Sequence, residues 1–124
     1  MYDKEKKQEF LKNKLKEKSL AIKYSAENDT ENTHKYMHML IDKGEYSIPI
    51  DYALNLYKSG QYNQSFYYFS HLSEKNHPIA QYFIAVMKYY GKGCNKDQES
   101  SFQILKHLSK HGIDRATEFL EDHF

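Results

Sequence analysis

Two stretches of the chain repeat one another at a fixed distance. Residues 65–80 read SFYYFSHLSEKNHPIA and residues 101–116 read SFQILKHLSKHGIDRA, an offset of 36 with no gap. Ser, Phe, His, Leu, Ser and Ala recur at the same six places. Each window spans the end of one expected helix, a turn and the start of the next. A helix-turn-helix of this size cannot bury its apolar stripe alone, whereas stacked copies cover each other's open faces. The repeat therefore points to an array of helical hairpins.

The rest of the chain agrees with an all-α fold of about seven helices. Gly and Pro number only five and two in 124 residues, too few for a turn-rich β protein. No run of strict alternation demands a strand. Residues 4–26 predict a helix with a narrow stripe of Leu11, Leu15, Ile22 and Ala26, and with Asp3 and Lys7 as an i,i+4 pair. Asn28-Asp29-Thr30-Glu31 resembles a capping box, with Asn28 accepting from the first turn and Glu31 reaching back. The helix it opens turns Thr33, Met37, Leu40 and Ile41 inward and stops at Gly44. Glu45 to Ile48 read as a connection and Pro49 as a first-turn proline. Ile50, Ala53, Leu54 and Tyr57 follow, up to Gly60. Asn63 is the expected cap of the next helix, which buries Phe66, Phe69, Ser70 and Leu72. Pro78 opens a helix carrying Tyr82, Ala85, Val86 and Tyr89, ended by Gly91-Lys92-Gly93. Residues 97–110 turn Phe102, Leu105 and Leu108 inward, Gly112 closes them, and a last helix runs from Asp114 to Glu121.

Ala80-Gln81-Tyr82, Gly91-Lys92-Gly93, Asp97, Gly112 and Ala116 together resemble the Sel-one-like repeat (SLR), a relative of the tetratricopeptide repeat (TPR). That pattern starts its first helix with a small residue. A G-x-G-V-x-x-D loop, a second helix and a glycine before the next alanine follow. Cys94 stands at the valine place, and the 36-residue spacing from Ala80 to Ala116 is the usual SLR period. Gly60, Tyr62 and Ser65 resemble the TPR turn G-x-Y-x-x-A, with serine for alanine. The chain departs from the pattern at Lys88, usually tyrosine, at Leu108-Ser109, usually Ala-Ala, and at Ala85, usually glycine. The resemblance implies a short right-handed α-solenoid of antiparallel helix pairs forming one domain, 1–124. Residues 1–48 would be a degenerate helix pair, 49–79 a TPR-like repeat, 80–115 an SLR and 116–124 a terminal cap.

Eighteen basic residues against seventeen acidic ones give a net charge of +1. Proteins that bind nucleic acid by neutralising phosphates usually carry a larger basic excess, so the balance argues against that class. The charge is uneven: residues 1–18 carry a net +3 and residues 114–124 a net −3. The plain reading is two solvated helix ends; the sharper one is a basic arm, or a head-to-tail contact between copies. One cysteine excludes an intramolecular disulfide. Apolar runs are too short to span a membrane, and the first residues lack the apolar core of a secretory signal, so a cytoplasmic location and no membrane partner are expected.

Little in the sequence supports catalysis. His34 and His38, like His107 and His111, stand four apart, a spacing able to place two imidazoles on one metal. Neither pair has an evident third ligand or the glutamate of a zinc-protease helix. Gly91-Lys92-Gly93 falls short of a phosphate-binding loop. Cys94 sits where the repeat wants a small apolar side chain. No metal and no cofactor are expected. The twelve tyrosines exceed what so small a core needs. Most would pack between helices with the hydroxyl in water; some would form a binding face, since tyrosine is common at interaction hot spots. In the family the first helices of each pair line the concave side, so the resemblance nominates Tyr52, Asn55, Tyr82 and Tyr89 as partner-binding residues; Lys58 joins them by its charge, and Lys58 and Lys88 would pair with acidic groups of the partner. The expected function is non-catalytic protein–protein interaction. An immunity or antitoxin-type protein that covers a toxin is one alternative, and a metal-binding protein or enzyme using the histidines is another. The exposed end of a solenoid can also pair two copies into a homodimer.

Overall fold

The computed structural model describes residues 3–124, and those residues form helices without strands. The seven helices are α1 (Lys4–Ala26), α2 (Thr30–Asp42), α3 (Ser47–Lys58), α4 (Tyr62–Glu74), α5 (Pro78–Tyr90), α6 (Gln98–Lys110) and α7 (Asp114–His123). They fall into two compact units, one ending at Pro49 and one comprising Ile50–Phe124.

In the first unit α1 packs on α2. The Asp3 carboxylate caps α1, accepting from the backbone N–H of Glu5 at 2.9 Å and of Lys6 at 3.4 Å. The expected stripe is not the packed face. Leu11, Leu15 and Ile22 are 43%, 64% and 54% exposed, Ala26 is exposed, and Ala21 is the residue α1 buries. Polar groups set this rotation. Lys14 and Lys18 both bind the Glu45 carboxylate, Lys43 meets Glu17 at 2.5 Å, and the Tyr24 ring stacks on Tyr36 at 5.7 Å.

The link to α2 also differs from expectation. Asn28 adopts φ +56° and ends α1, because asparagine tolerates the left-handed region better than most residues. Asp29 is the cap of α2, accepting from the Asn32 backbone N–H at 3.2 Å. Its own N–H already donates to the Tyr24 carbonyl at 3.0 Å, so Glu31 has no cap N–H to reach. Thr33, Met37, Leu40 and Ile41 are buried as expected.

Helix α3 starts at Ser47, which puts Pro49 third in the helix, where a missing N–H costs no intrahelical bond. In the second unit α3 buries Ile50, Ala53 and Leu56, while Leu54 and Tyr57 are half-buried. Helix α4 begins one residue before Asn63, which is exposed within its first turn. Gln61 takes the cap position without a side-chain bond. The left-handed Gly60 turn dictates this: the Gln61 N–H returns to the Leu56 carbonyl, and the Gln61 carbonyl accepts the first helical bond from Ser65. Ser65 and Tyr68 join Phe69 and Leu72 in the interior, whereas Phe66 and Ser70 are half-buried. Phe102 is likewise half-buried on α6, and α7 runs two residues past Glu121.

The two repeated windows fold alike. Ser65 and Ser101, Phe69 and Leu105, Leu72 and Leu108, and Ala80 and Ala116 are buried in register. Asn76 (φ +60°) and Gly112 (φ +83°) take the same left-handed turn position. The N–H groups of His77 and Ile113 close these turns onto the Leu72 and Leu108 carbonyls at 3.3 and 3.0 Å. In sequence, α4 packs on α5, α5 on α6 and α6 on α7. Ala85, Val86, Leu105, Leu108, Ala116 and Phe119 form one core cluster, with Tyr82 and Tyr89 packed against its edge. Fully burying one Leu or Phe contributes about 1.5–3 kcal/mol, so this cluster holds α7 in place.

Candidate functional site

The aromatic residues of α5 and α7 build a surface around Phe119. Tyr89 lies 5.3 Å from each of Phe119, His123 and Phe124, edge-on to all three rings. Tyr82 approaches Phe119 edge-on at 6.3 Å and Phe83 at 5.4 Å. His123 stacks on Phe119 at 3.9 Å, and its Nε2 lies 3.1 Å from the Tyr90 hydroxyl. Edge-to-face pairs of this kind add about 0.5–1.5 kcal/mol beyond their area, so the cluster is stiff. Beside it opens a depression of about 390 Å³ lined by Tyr82, Phe83, Arg115, Glu118, Phe119, Asp122 and His123. Burial pushes the Tyr82 hydroxyl above its ordinary pKa, with Arg115 opposing and Glu118 reinforcing the shift. It therefore remains a neutral donor and acceptor at the edge of a charged rim.

The five residues nominated from sequence do not form one patch with these rings. Tyr82 and Tyr89 meet around Phe119 because they stand seven apart on α5. Tyr52 packs edge-on to Tyr68 at 5.1 Å, in a separate cluster where Tyr67 contacts both Tyr68 and His71. Burial raises the pKa of Tyr52 and, more strongly, of Tyr68. Asn55 and Lys58 are exposed on α3. Lys88 turns to α6, where its ammonium donates to the Ser100 hydroxyl at 2.9 Å.

The chemical alternatives have these surroundings. His34 and His38 lie ring to ring at 4.3 Å, as do His107 and His111. Among the described residues no three His, Cys, Asp or Glu side chains are grouped to hold a metal ion. Cys94 is half-buried, and burial pushes its thiol above the ordinary pKa, away from the reactive thiolate. Among the described residues no helix is long and apolar enough to cross a membrane.

One arrangement has no counterpart in the sequence reading. The Lys92 ammonium, in the α5–α6 loop, lies over the rings of Tyr57, Tyr62 and Tyr90. It also donates to the Tyr57 hydroxyl at 3.5 Å, and that bond holds its pKa above the ordinary lysine value. The signal available in sequence was a lysine between two loop glycines, with a tyrosine next to the loop and two more flanking the Gly60 turn.

Comparison with protein-family models, with curated proteins and with solved structures returns no match to this chain.

Proposed function

We propose that the protein is a non-catalytic binding module of the SLR/TPR-like class, with helices paired antiparallel in a short solenoid, and that it engages a protein partner through the α5–α7 surface. The observation that carries this reading is the stiff ring cluster beside an open, charged depression. Interfaces of this type combine ordered aromatic anchors with a polar rim. Tyr82, half-buried and braced by the buried Phe119, supplies the anchor. Arg115, Glu118 and Asp122 supply the rim, in a segment of net charge −3 from 114 to 124. That charge favours a basic partner surface and makes association weaken as salt rises. The matched geometry of the two windows, 36 residues apart, supports the repeat assignment.

The test is affinity capture with the full chain, run beside two charge-reversed variants. Arg115 and Glu118 are exposed, so Glu118→Arg and Arg115→Glu leave the core untouched. A partner retained by the unaltered chain should be lost with Glu118→Arg, whereas Arg115→Glu, which makes the rim more acidic, should retain it. Lys110→Glu, on an exposed position of α6, should retain it. Retention by all the variants would reject this surface. A toxin is one partner class within this reading, and co-expression with a neighbouring toxic gene product tests it: continued toxicity excludes that partner.

A further inference from the structure

The Lys92 site shares Tyr90 with the α5–α7 surface, where the Tyr90 hydroxyl meets His123, but its other walls come from α3 and α4. Gly91 and Gly93 both adopt φ +73°, and a Cβ on Gly93 would overlap the Tyr62 carbonyl and come within 3.0 Å of the Phe66 Cβ. The loop is thereby pressed onto α4 with Lys92 at its tip. The ammonium stands 5.3, 5.1 and 5.2 Å from the ring centroids of Tyr57, Tyr62 and Tyr90. Tyr57 and Tyr62 are themselves edge-on at 5.3 Å, so two walls of the enclosure are fixed against each other. Among the described residues no carboxylate pairs with Lys92, so the tyrosine rings and the Tyr57 and Tyr62 hydroxyls hold the cation.

Convergence of several aromatic faces on one nitrogen is the arrangement that selects methylated ammonium groups. A primary ammonium is compact and strongly hydrated, and gives up more water to enter such a site. We propose that Tyr57, Tyr62 and Tyr90 form an aromatic cage for a methylated ammonium group, kept closed by the chain's own Lys92 side chain. Lys92 and Tyr62 both line an open depression of about 460 Å³ that also includes Gly60 and Gly93. The lysine therefore has somewhere to move, and an incoming cation can approach from the Tyr62 side. The same group occurs on choline-type small molecules and on trimethylated lysine side chains, and the cage reads the chemistry they share.

Tetramethylammonium is the probe, followed by NMR on the full chain. In the unaltered protein, ring currents should hold the Lys92 Cε protons upfield, and tetramethylammonium should return them toward the ordinary lysine position. Lys92→Ala removes the internal competitor and should bind the probe about tenfold or more tightly, a difference on the order of 1.4 kcal/mol. Adding Tyr62→Leu should abolish that binding while circular dichroism stays helical. Choline and trimethyl-lysine amide, titrated in parallel, tell the two sources apart by their affinities. The neutral isostere 3,3-dimethylbutanol should bind far more weakly than the cation. An ordinary Lys92 Cε position in the unaltered chain would overturn the proposal, and this reading needs no variant to fold. So would absence of probe binding to both forms, or equal binding of the neutral isostere.

Discussion

Helix α1, in the unit up to Pro49, and the helices of the unit from Ile50 onward are held by different forces. Helix α1 buries Ala21 and is positioned by Lys14, Lys18, Lys43, Glu17 and Glu45, while Leu11, Leu15 and Ile22 face water. The second unit encloses Phe69, Leu72, Met87 and Leu105 almost completely. Exposed ion pairs contribute only about 0–1 kcal/mol each, against about 1.5–3 kcal/mol for a buried Leu or Phe. Helix α1 is therefore the weakly held element, and it belongs to the part that opens first. A rigid second unit is also what a preformed binding surface requires.

The largest expected effect breaks the interior of the second unit. Leu105→Ala should cost about 3 kcal/mol in chemical denaturation, from lost transfer energy and the cavity left behind. A loss below about 1 kcal/mol would mean that this interior is less closely packed than the burial implies. Next comes the loop that closes on α4. Gly93→Ala combines a positive φ with overlap on the Tyr62 carbonyl and should cost about 2–3 kcal/mol. Gly60→Ala has a positive φ but open space and should cost only about 1–2 kcal/mol, so equal losses would contradict the tight approach at Gly93.

A smaller contrast lies within the repeated windows. The Ser65 hydroxyl donates to the Ala53 carbonyl at 2.8 Å, whereas the buried Ser101 hydroxyl has no hydrogen-bond partner among the described residues. Ser65→Ala should therefore lose about 1 kcal/mol and Ser101→Ala should be neutral or stabilising. Matching losses at both would show that the windows differ less than these bonds indicate. The smallest effect concerns the first unit. Hydrogen bonds from Lys14 and then Lys18 hold the Glu45 carboxyl below its ordinary pKa of 4.5. A group whose folded pKa is depressed stabilises above its unfolded pKa and loses that contribution as pH falls through the folded value. Acidification below about pH 4.5, or Glu45→Gln at neutral pH, should lower amide protection factors in α1 and leave those of α6 unchanged.

Much of the fold is legible in the sequence because its punctuation is local. Gly44, Gly60, Gly91 and Gly112 each adopt positive φ just beyond a helix, where glycine carries no steric penalty. The inward residues of α2 follow from spacing alone. The stripe of α1 misleads because a sparse apolar pattern competes with ionic groups whose partners, Lys43 and Glu45, lie more than twenty residues away. Asn28 and Asp29 are both competent caps, and only the demand for a left-handed residue assigns them. Tyr82 and Tyr89 are legible as one face of α5, but their partners His123 and Phe124 fall beyond the expected end of the last helix. The Lys92 cage requires three helices and a loop to meet, which no single periodicity reports.

Hydrogen exchange on the full chain, with and without its captured partner, tests the binding surface most directly. The account predicts slowed exchange over Pro78–Tyr90 and Asp114–His123, with Lys4–Asp42 unchanged. Protection confined to α1 and α2, with α5 and α7 unaffected, would contradict it.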